Sequence, residues 1–379
     1  MRPTGSFHSR ENNFDFLRFF AASVVIVSHC YFMLGLEEME PFLLTTGYED
    51  GGAIAVGVFF VISGYLITGS YLNSSSRFSY FLKRALRLFP ALFVAILLTV
   101  FLVGPLVTTL NLTEYVSETR TWMYLRNIML MTSYDLPGVY LDNPYTGVVN
   151  GSLWTLPMEA SMYVGVAALG MIGFLRRGLI FIPLAALAAG EFWLIAYLGI
   201  SSFTVGKFFQ LGLLFFIGAA FYLYRDLVLW KGWIALLLAL AMVLSFRTPL
   251  GYPMYFVAMP YVVLYLAYAP IPWLSRFGKY GDFSYGIYIV HFPLMQAWVL
   301  MLGSGVSILQ LLLLTYVPTL VLAALSWHYV EAPALKLKRL FAAAPDPGQA
   351  APARGDSDDT GAGSEDHQDH PGVAVLVRK

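Results

Sequence analysis

Residues 14–34 read FDFLRFFAASVVIVSHCYFML, and both Arg18 and His29 lie within this apolar run. At about 1.5 Å of rise per residue, a helix of this length crosses a hydrocarbon core of roughly 30 Å. Ionisable side chains inside a membrane span are costly, so they face a cavity or a partner and mark function. The eleven residues from Arg18 to His29, at about 100° each, bring both side chains to nearly the same face, about 16 Å apart along the axis. The run is too long for a signal-peptide core and reads as a retained first helix. A strong base and a titratable imidazole on one face, at two depths, predict a site that reaches into the membrane.

The rest of the chain supports that setting. Of 379 residues, 58% are hydrophobic and 12% charged, and the mean hydropathy is +0.67. A soluble domain carries about 25% charged residues. The expected fold is an all-α polytopic bundle with about ten transmembrane helices, near 14–34, 52–72, 88–108, 153–175, 179–199, 204–224, 229–246, 252–269, 283–302 and 306–328. If the N-terminus is cytoplasmic, fifteen Lys and Arg fall in inside segments and four outside them (Arg120, Arg126, Lys207 and Arg247). That asymmetry predicts both termini in the cytoplasm. Net charge is zero, which argues against nucleic acid as a partner, and the single Cys30 excludes an intrachain disulfide. Residues 1–340 read as the membrane domain. Residues 341–379, rich in Pro, Gly, Ser and Asp, read as a disordered cytoplasmic tail.

Depth along the predicted spans suggests where chemistry sits. His29 lies roughly 7 Å below the outer end of its span. The fourth span enters from outside at NGSLWTLPMEASMY (150–163), which puts Glu159 at a similar depth. A carboxylate paired with an imidazole raises its basicity and fixes its tautomer, as a general base for a hydroxyl requires. Arg18 lies near the opposite face, with Arg84 and Arg87 of FLKRALRLFP. Guanidinium groups clustered there suit phosphates arriving from the cytosol, although positive-inside bias and lipid headgroups account for Lys83. Gly57, Gly64 and Gly69 thin one side of the second span for close helix packing. His291, two residues before Pro293, falls mid-span. Ser63, Trp154, Tyr163 and His291 are the remaining candidates for the substrate cavity, and no metal site is expected.

Taken in order, FDFLRFFAASVVIVSH, GVFFVISGYLIT, FLKRALRLFPA, SLWTLPMEASMY, SYGIYIVHFP and SWHYVEAPALK resemble the acyltransferase-3 family of integral membrane O-acyltransferases. Thr155, Pro157 and Met158 stand where many members have Ser, a non-proline and a second Glu. The resemblance implies transfer of an acyl group, commonly acetyl, from cytoplasmic acyl-CoA to a hydroxyl of a surface or exported glycan or glycolipid at the inner (cytoplasmic) membrane. It implies acyl-CoA as a donor substrate with no permanently bound cofactor, and a carbohydrate or glycolipid and the bilayer as partners. Arg18, Arg84 and Arg87 would hold the CoA phosphates, and His29, oriented by Glu159, would take the acceptor proton. Direct transfer and a transient acyl-His29 both remain open. The rival reading is a secondary transporter of a small anionic or sugar-like solute, since intramembrane charge also marks transport routes. The outer loop 109–151, with Asp135, Asp142 and Asn143, is the expected grip on a sugar.

Overall fold

Helix α1 (Phe14–Met33) fills the first predicted span almost residue for residue. The computed structural model describes residues 12–194 and 202–339. Among these, the regular elements are helical, with one isolated bridge between Thr108 and Val139. The principal helices are α2 (Gly51–Leu72), α3 (Arg77–Leu98), α4 (Thr155–Met171), α5 (Phe181–Ala189), α6 (Phe203–Tyr224), α7 (Gly232–Leu244), α8 (Gly251–Tyr268), α9 (Ser284–Leu302) and α10 (Ile308–Ser326). The tail expected from residue 341, and part of the span expected at 179–199, lie outside the described residues.

The all-α membrane fold stands, and the expected count of about ten spans is not confirmed. Among the described residues, six helices are long and apolar enough to cross a membrane, or seven if α8 and the following Pro272–Tyr280 segment, bent by 82°, form one span. The others are apolar but short. The 13 residues of α7 and the 17 of α4 rise about 20 and 25 Å, less than a full hydrocarbon core. Apolar side chains nonetheless face outward. On α10, Leu309, Leu313, Val317, Val321 and Leu325 are exposed at four-residue spacing, which is one continuous helix face. With no aqueous reason for such a stripe, it faces lipid, and the chain is a multi-pass membrane protein.

The central helix is α2, which packs against α1, α4, α6 and α8. Its glycines allow this, as their spacing predicted. A Cβ on Gly64 would lie 1.8 Å from the Phe215 carbonyl oxygen, and one on Gly218 of α6 would lie 2.2 Å from the Val61 carbonyl oxygen. The two backbones therefore touch reciprocally, in the small-residue mode of membrane helix pairs. Helices α1 and α9 run side by side in the same direction. Arg18 meets Asp282, just ahead of α9, and His29 meets His291 eleven and nine residues further along the respective chains.

Pro293 shapes the entry to α4. Lacking an N–H, it leaves the Ile289 carbonyl without its helical donor, and Asn150 Nδ2 donates to that oxygen at 2.8 Å. Asn143 binds the Gln296 side chain and carbonyl, and Gln296 Nε2 in turn donates to the Tyr145 and Val148 carbonyls. The end of the outer loop is thus pinned deep against α9.

Gly64→Ala is expected to cost about 1–3 kcal/mol through overpacking against backbone, whereas Gly305→Ala, with nothing within 4 Å of its Cβ, is expected to be neutral. Thermal unfolding of both variants in detergent checks this.

Candidate active site

Two cavities, of about 430 and 420 Å³, lie on opposite sides of a narrow waist. Each of four elements lines the first with one part and the second with another: Arg18 then Val25 and His29 on α1, Ser63 then Gly52 and Ala53 on α2, Glu159 then Trp154 at the start of α4, and Tyr285 then Phe292 on α9. Val56 and Tyr288 line both.

The first cavity is charged. Arg18, Lys83, Arg84, Arg87 and Lys338 line it, against Asp15, Glu159 and Asp282. The excess is positive, but the cations are not equivalent. Arg18 donates to Asp15 at 2.5 Å and pairs with Asp282 at 3.2 Å. Arg87 reaches Asp282 at 2.6 Å and Glu331 at 3.3 Å, with its guanidinium over the Tyr285 and Trp327 rings. Arg84 has no carboxylate partner among the described residues. It lies over the Tyr163 ring, and its buried Nε has no hydrogen-bond acceptor. Lys83 donates to Ser74. Arg18, Arg84 and Arg87 therefore share one cavity, as expected, and of the three Arg84 has no carboxylate partner among the described residues, while Arg18 and Arg87 are held by carboxylates.

Asp282 is the hinge of that network. Burial alone would raise its carboxyl, but the Arg18 and Arg87 guanidiniums, with the Ser284 hydroxyl and N–H, outweigh burial and hold it at about 2. Sequence reading passed over Asp282; the signal was the spacing Asp282-x₈-His291, nearly that of Arg18-x₁₀-His29 on the parallel neighbour.

The second cavity holds His29. Around it stand Tyr134, Tyr145, Trp154, Phe203, Phe292, Asp50 and Lys207. The expected pairing of Glu159 with His29 is not found. Glu159 accepts from the Ser63 hydroxyl at 3.4 Å and, closely, from Tyr163, and it lines the first cavity with both. Depth was misjudged because the chain is already deep when α4 begins. The turn Gly151–Trp154 lies level with His291, with Gly151 against Phe292 and Ser152 Oγ 3.5 Å from His291 Nε2. Glu159 then falls about 10 Å further toward the arginines.

His29 instead bonds His291, Nδ1 to Nε2 at 2.9 Å. His291 is fully buried, and its Nδ1 lies 3.0 Å from the Ile287 carbonyl. A carbonyl accepts only, so His291 carries its proton on Nδ1 and presents a lone pair at Nε2. His29 must then donate from Nδ1, which leaves its Nε2 lone pair unengaged. The tautomer that a general base needs is thus set by a second histidine, the role sequence reasoning gave to a carboxylate. Trp154 lines the second cavity, and Ser63 and Tyr163 line the first. Within the loop expected to grip a sugar, Asn143 is structural, held to Gln296, and Asp135 pairs at the surface with Arg120. Tyr134, Tyr145, Val148 and Gly151 are the loop residues that line the cavity. Among the described residues, no group of three or more His, Cys, Asp or Glu could hold a metal ion.

Asp282→Asn is expected to cost roughly 2 kcal/mol, since Arg18 and Arg87 each keep a second carboxylate. Because the folded carboxyl titrates below its ordinary value, this contribution is complete above about pH 4 and is lost as pH falls toward 2. Melting temperatures of wild type and variant should converge as pH falls from about 4 toward 2.

Residues 11–328 match the family described as Acyltransferase domain, acyltransferase 3. The chain is 32% identical over 341 residues to the O-acetyl transferase of Shigella phage Sf6, covering 85% of this chain and 95% of that protein. It is 33% identical over 376 residues to Nodulation protein 10 of Rhizobium leguminosarum bv. viciae, covering 89% of this chain and 97% of that protein. No solved structure matches it.

Proposed function

The chain belongs to the acyltransferase-3 family and is a membrane acyltransferase, and from that premise we propose that it moves an acetyl group from acyl-CoA to a hydroxyl of a glycan or glycolipid across the waist between its two cavities. The observation that carries the reading is the separation of chemistry: cations without full neutralisation in one cavity, and a histidine with a free, oriented Nε2 lone pair in the other. Transfer to oxygen follows the name of the phage relative. The transporter alternative is set aside on the family assignment.

In this reading the CoA phosphates lie against Arg84, Lys83 and Lys338, the cations of the first cavity that no carboxylate neutralises among the described residues. Arg18 and Arg87 support the site through Asp282 and Glu331 rather than gripping the donor first. The thioester reaches the waist. The acceptor enters the second cavity, whose Trp, Tyr and Phe rings suit the apolar faces of a sugar and whose Asp50 and Lys207 suit its hydroxyls. His29 Nε2 takes the hydroxyl proton as oxygen attacks the thioester carbonyl. The tetrahedral intermediate collapses with loss of the CoA thiolate, which recovers the proton from the imidazolium. Attack by His29 itself, giving a transient acyl-histidine, would start from the same lone pair.

Glu159 keeps Ser63 and Tyr163 in place beside Arg84 and is a positioning residue of the donor cavity. Positive-inside bias orients that cavity toward the cytoplasm of an inner membrane, with both termini on that side. In this reading residues 1–340 comprise the acyltransferase domain.

His29→Ala is expected to lower transfer by about 10²–10⁴-fold while leaving CoA affinity within about twofold. Arg84→Ala is expected to raise the donor KM with little change in kcat, a loss of uniform binding. Steady-state kinetics and CoA titration of the purified variants check both. Full transfer by His29→Ala would overturn the base assignment, and an unchanged donor KM in Arg84→Ala would overturn the phosphate site. Mass spectrometry of surface glycans and glycolipids with and without the protein identifies the acceptor.

A further inference from the structure

The two cavities are divided by a single layer of side chains. Val56 of α2 and Tyr288 of α9 line both, so each has one cavity on either side of it. Tyr288 is not free to swing aside, because its hydroxyl lies 2.8 Å from Thr155 Oγ1 in the first turn of α4. The ring of Phe59, one turn along α2 from Val56, sits edge-on to Tyr288 with centroids 6.1 Å apart. Val56, Tyr288 and Thr155 are 6%, 7% and 4% exposed, so the layer is packed rather than a loose flap. Tyr288 precedes His291 by three residues, and the layer therefore stands about one helical turn, some 4.5 Å, on the donor side of the histidine pair.

We infer that Val56 and Tyr288 are the specificity-determining residues for the acyl group. This rests on the reading above, in which the thioester comes from the arginine cavity and is attacked from the His29 cavity. The thioester carbonyl must then lie at this layer while the acyl chain occupies the space against Val56 and the Tyr288 ring. A methyl group fits where Val56 leaves room of side-chain size. A longer chain meets Phe59 and a tyrosine held by its hydroxyl. The Tyr288–Thr155 hydrogen bond ties α9 to α4 across the passage, so the opening is set by rigid helices rather than by a loop. Thr155 is thus the residue that latches the filter.

The test compares acetyl-CoA with butyryl-CoA as donors for the full-length protein in nanodiscs, reading release of the CoA thiol with water or a supplied aryl hexoside as acceptor. Val56→Ala widens the layer without touching the latch, and Tyr288→Phe removes the latch without changing ring volume. One methylene in an apolar pocket is worth about 10–200-fold in discrimination, so Val56→Ala is expected to raise the butyryl-to-acetyl ratio at least about tenfold. Tyr288→Phe is expected to move the ratio the same way by a smaller factor. Equal loss of rate with both donors, at an unchanged ratio, would overturn the filter and leave the donor and acceptor cavities standing. Absence of thiol release from either donor by the wild-type protein would overturn the reading on which the filter rests.

Discussion

Asp282 accepts from two arginines on two different helices, and much of the protein's interior is arranged around that carboxylate. Arg18 on α1 and Arg87 on α3 both reach it, and Glu331 beyond the end of α10 closes the group from the far side. A guanidinium in an apolar slab is tolerable when a carboxylate faces it and intolerable alone. The same ion pairs therefore fix three helices against the start of α9 and define the floor of the arginine-lined cavity. They also leave Arg84, with Lys83 and Lys338, without a carboxylate partner among the described residues.

From that floor, α1 and α9 rise together, and their parallel course carries Arg18 to His29 and Asp282 to His291. Two histidines at one level, the second locked by a backbone carbonyl, yield a defined tautomer without a carboxylate. Pro293 does the complementary work from outside. It frees the Ile289 carbonyl, Asn150 takes it, and the acceptor-side turn is drawn down to the level of the histidines. One missing N–H thereby brings Trp154 to the His29 cavity and carries Glu159 past it to the arginine-lined cavity.

Which parts of this were legible in the residues follows from what periodicity encodes. The face shared by Arg18 and His29 is a property of one helix, and α1 preserves it. The grouping of Arg84 and Arg87 with Arg18 at one end follows from charge and depth, and the cavity contains all three. Gly64 and its neighbours signalled close packing, and the Phe215 carbonyl lies against that surface. Pairings between helices were not legible. Glu159 was placed by counting from a loop whose own depth depends on a long-range bond, Asn150 to Ile289, that local sequence does not encode. His291 was visible as a candidate, but its partner depends on α9 running parallel to α1, a fact of topology. The number of spans is not settled by composition, because short apolar helices such as α7 read in the sequence like full crossings.

The central claim is that donor and acceptor approach from opposite faces and meet at one waist. Reconstitution into sealed liposomes, sorted by orientation, with acetyl-CoA confined to the face bearing Arg84 and Lys338 and a glycan acceptor confined to the other, measures this directly. The account requires acetylated acceptor to form in that arrangement, and not when the two substrates are exchanged between faces. Product appearing only when donor and acceptor share one face would contradict it.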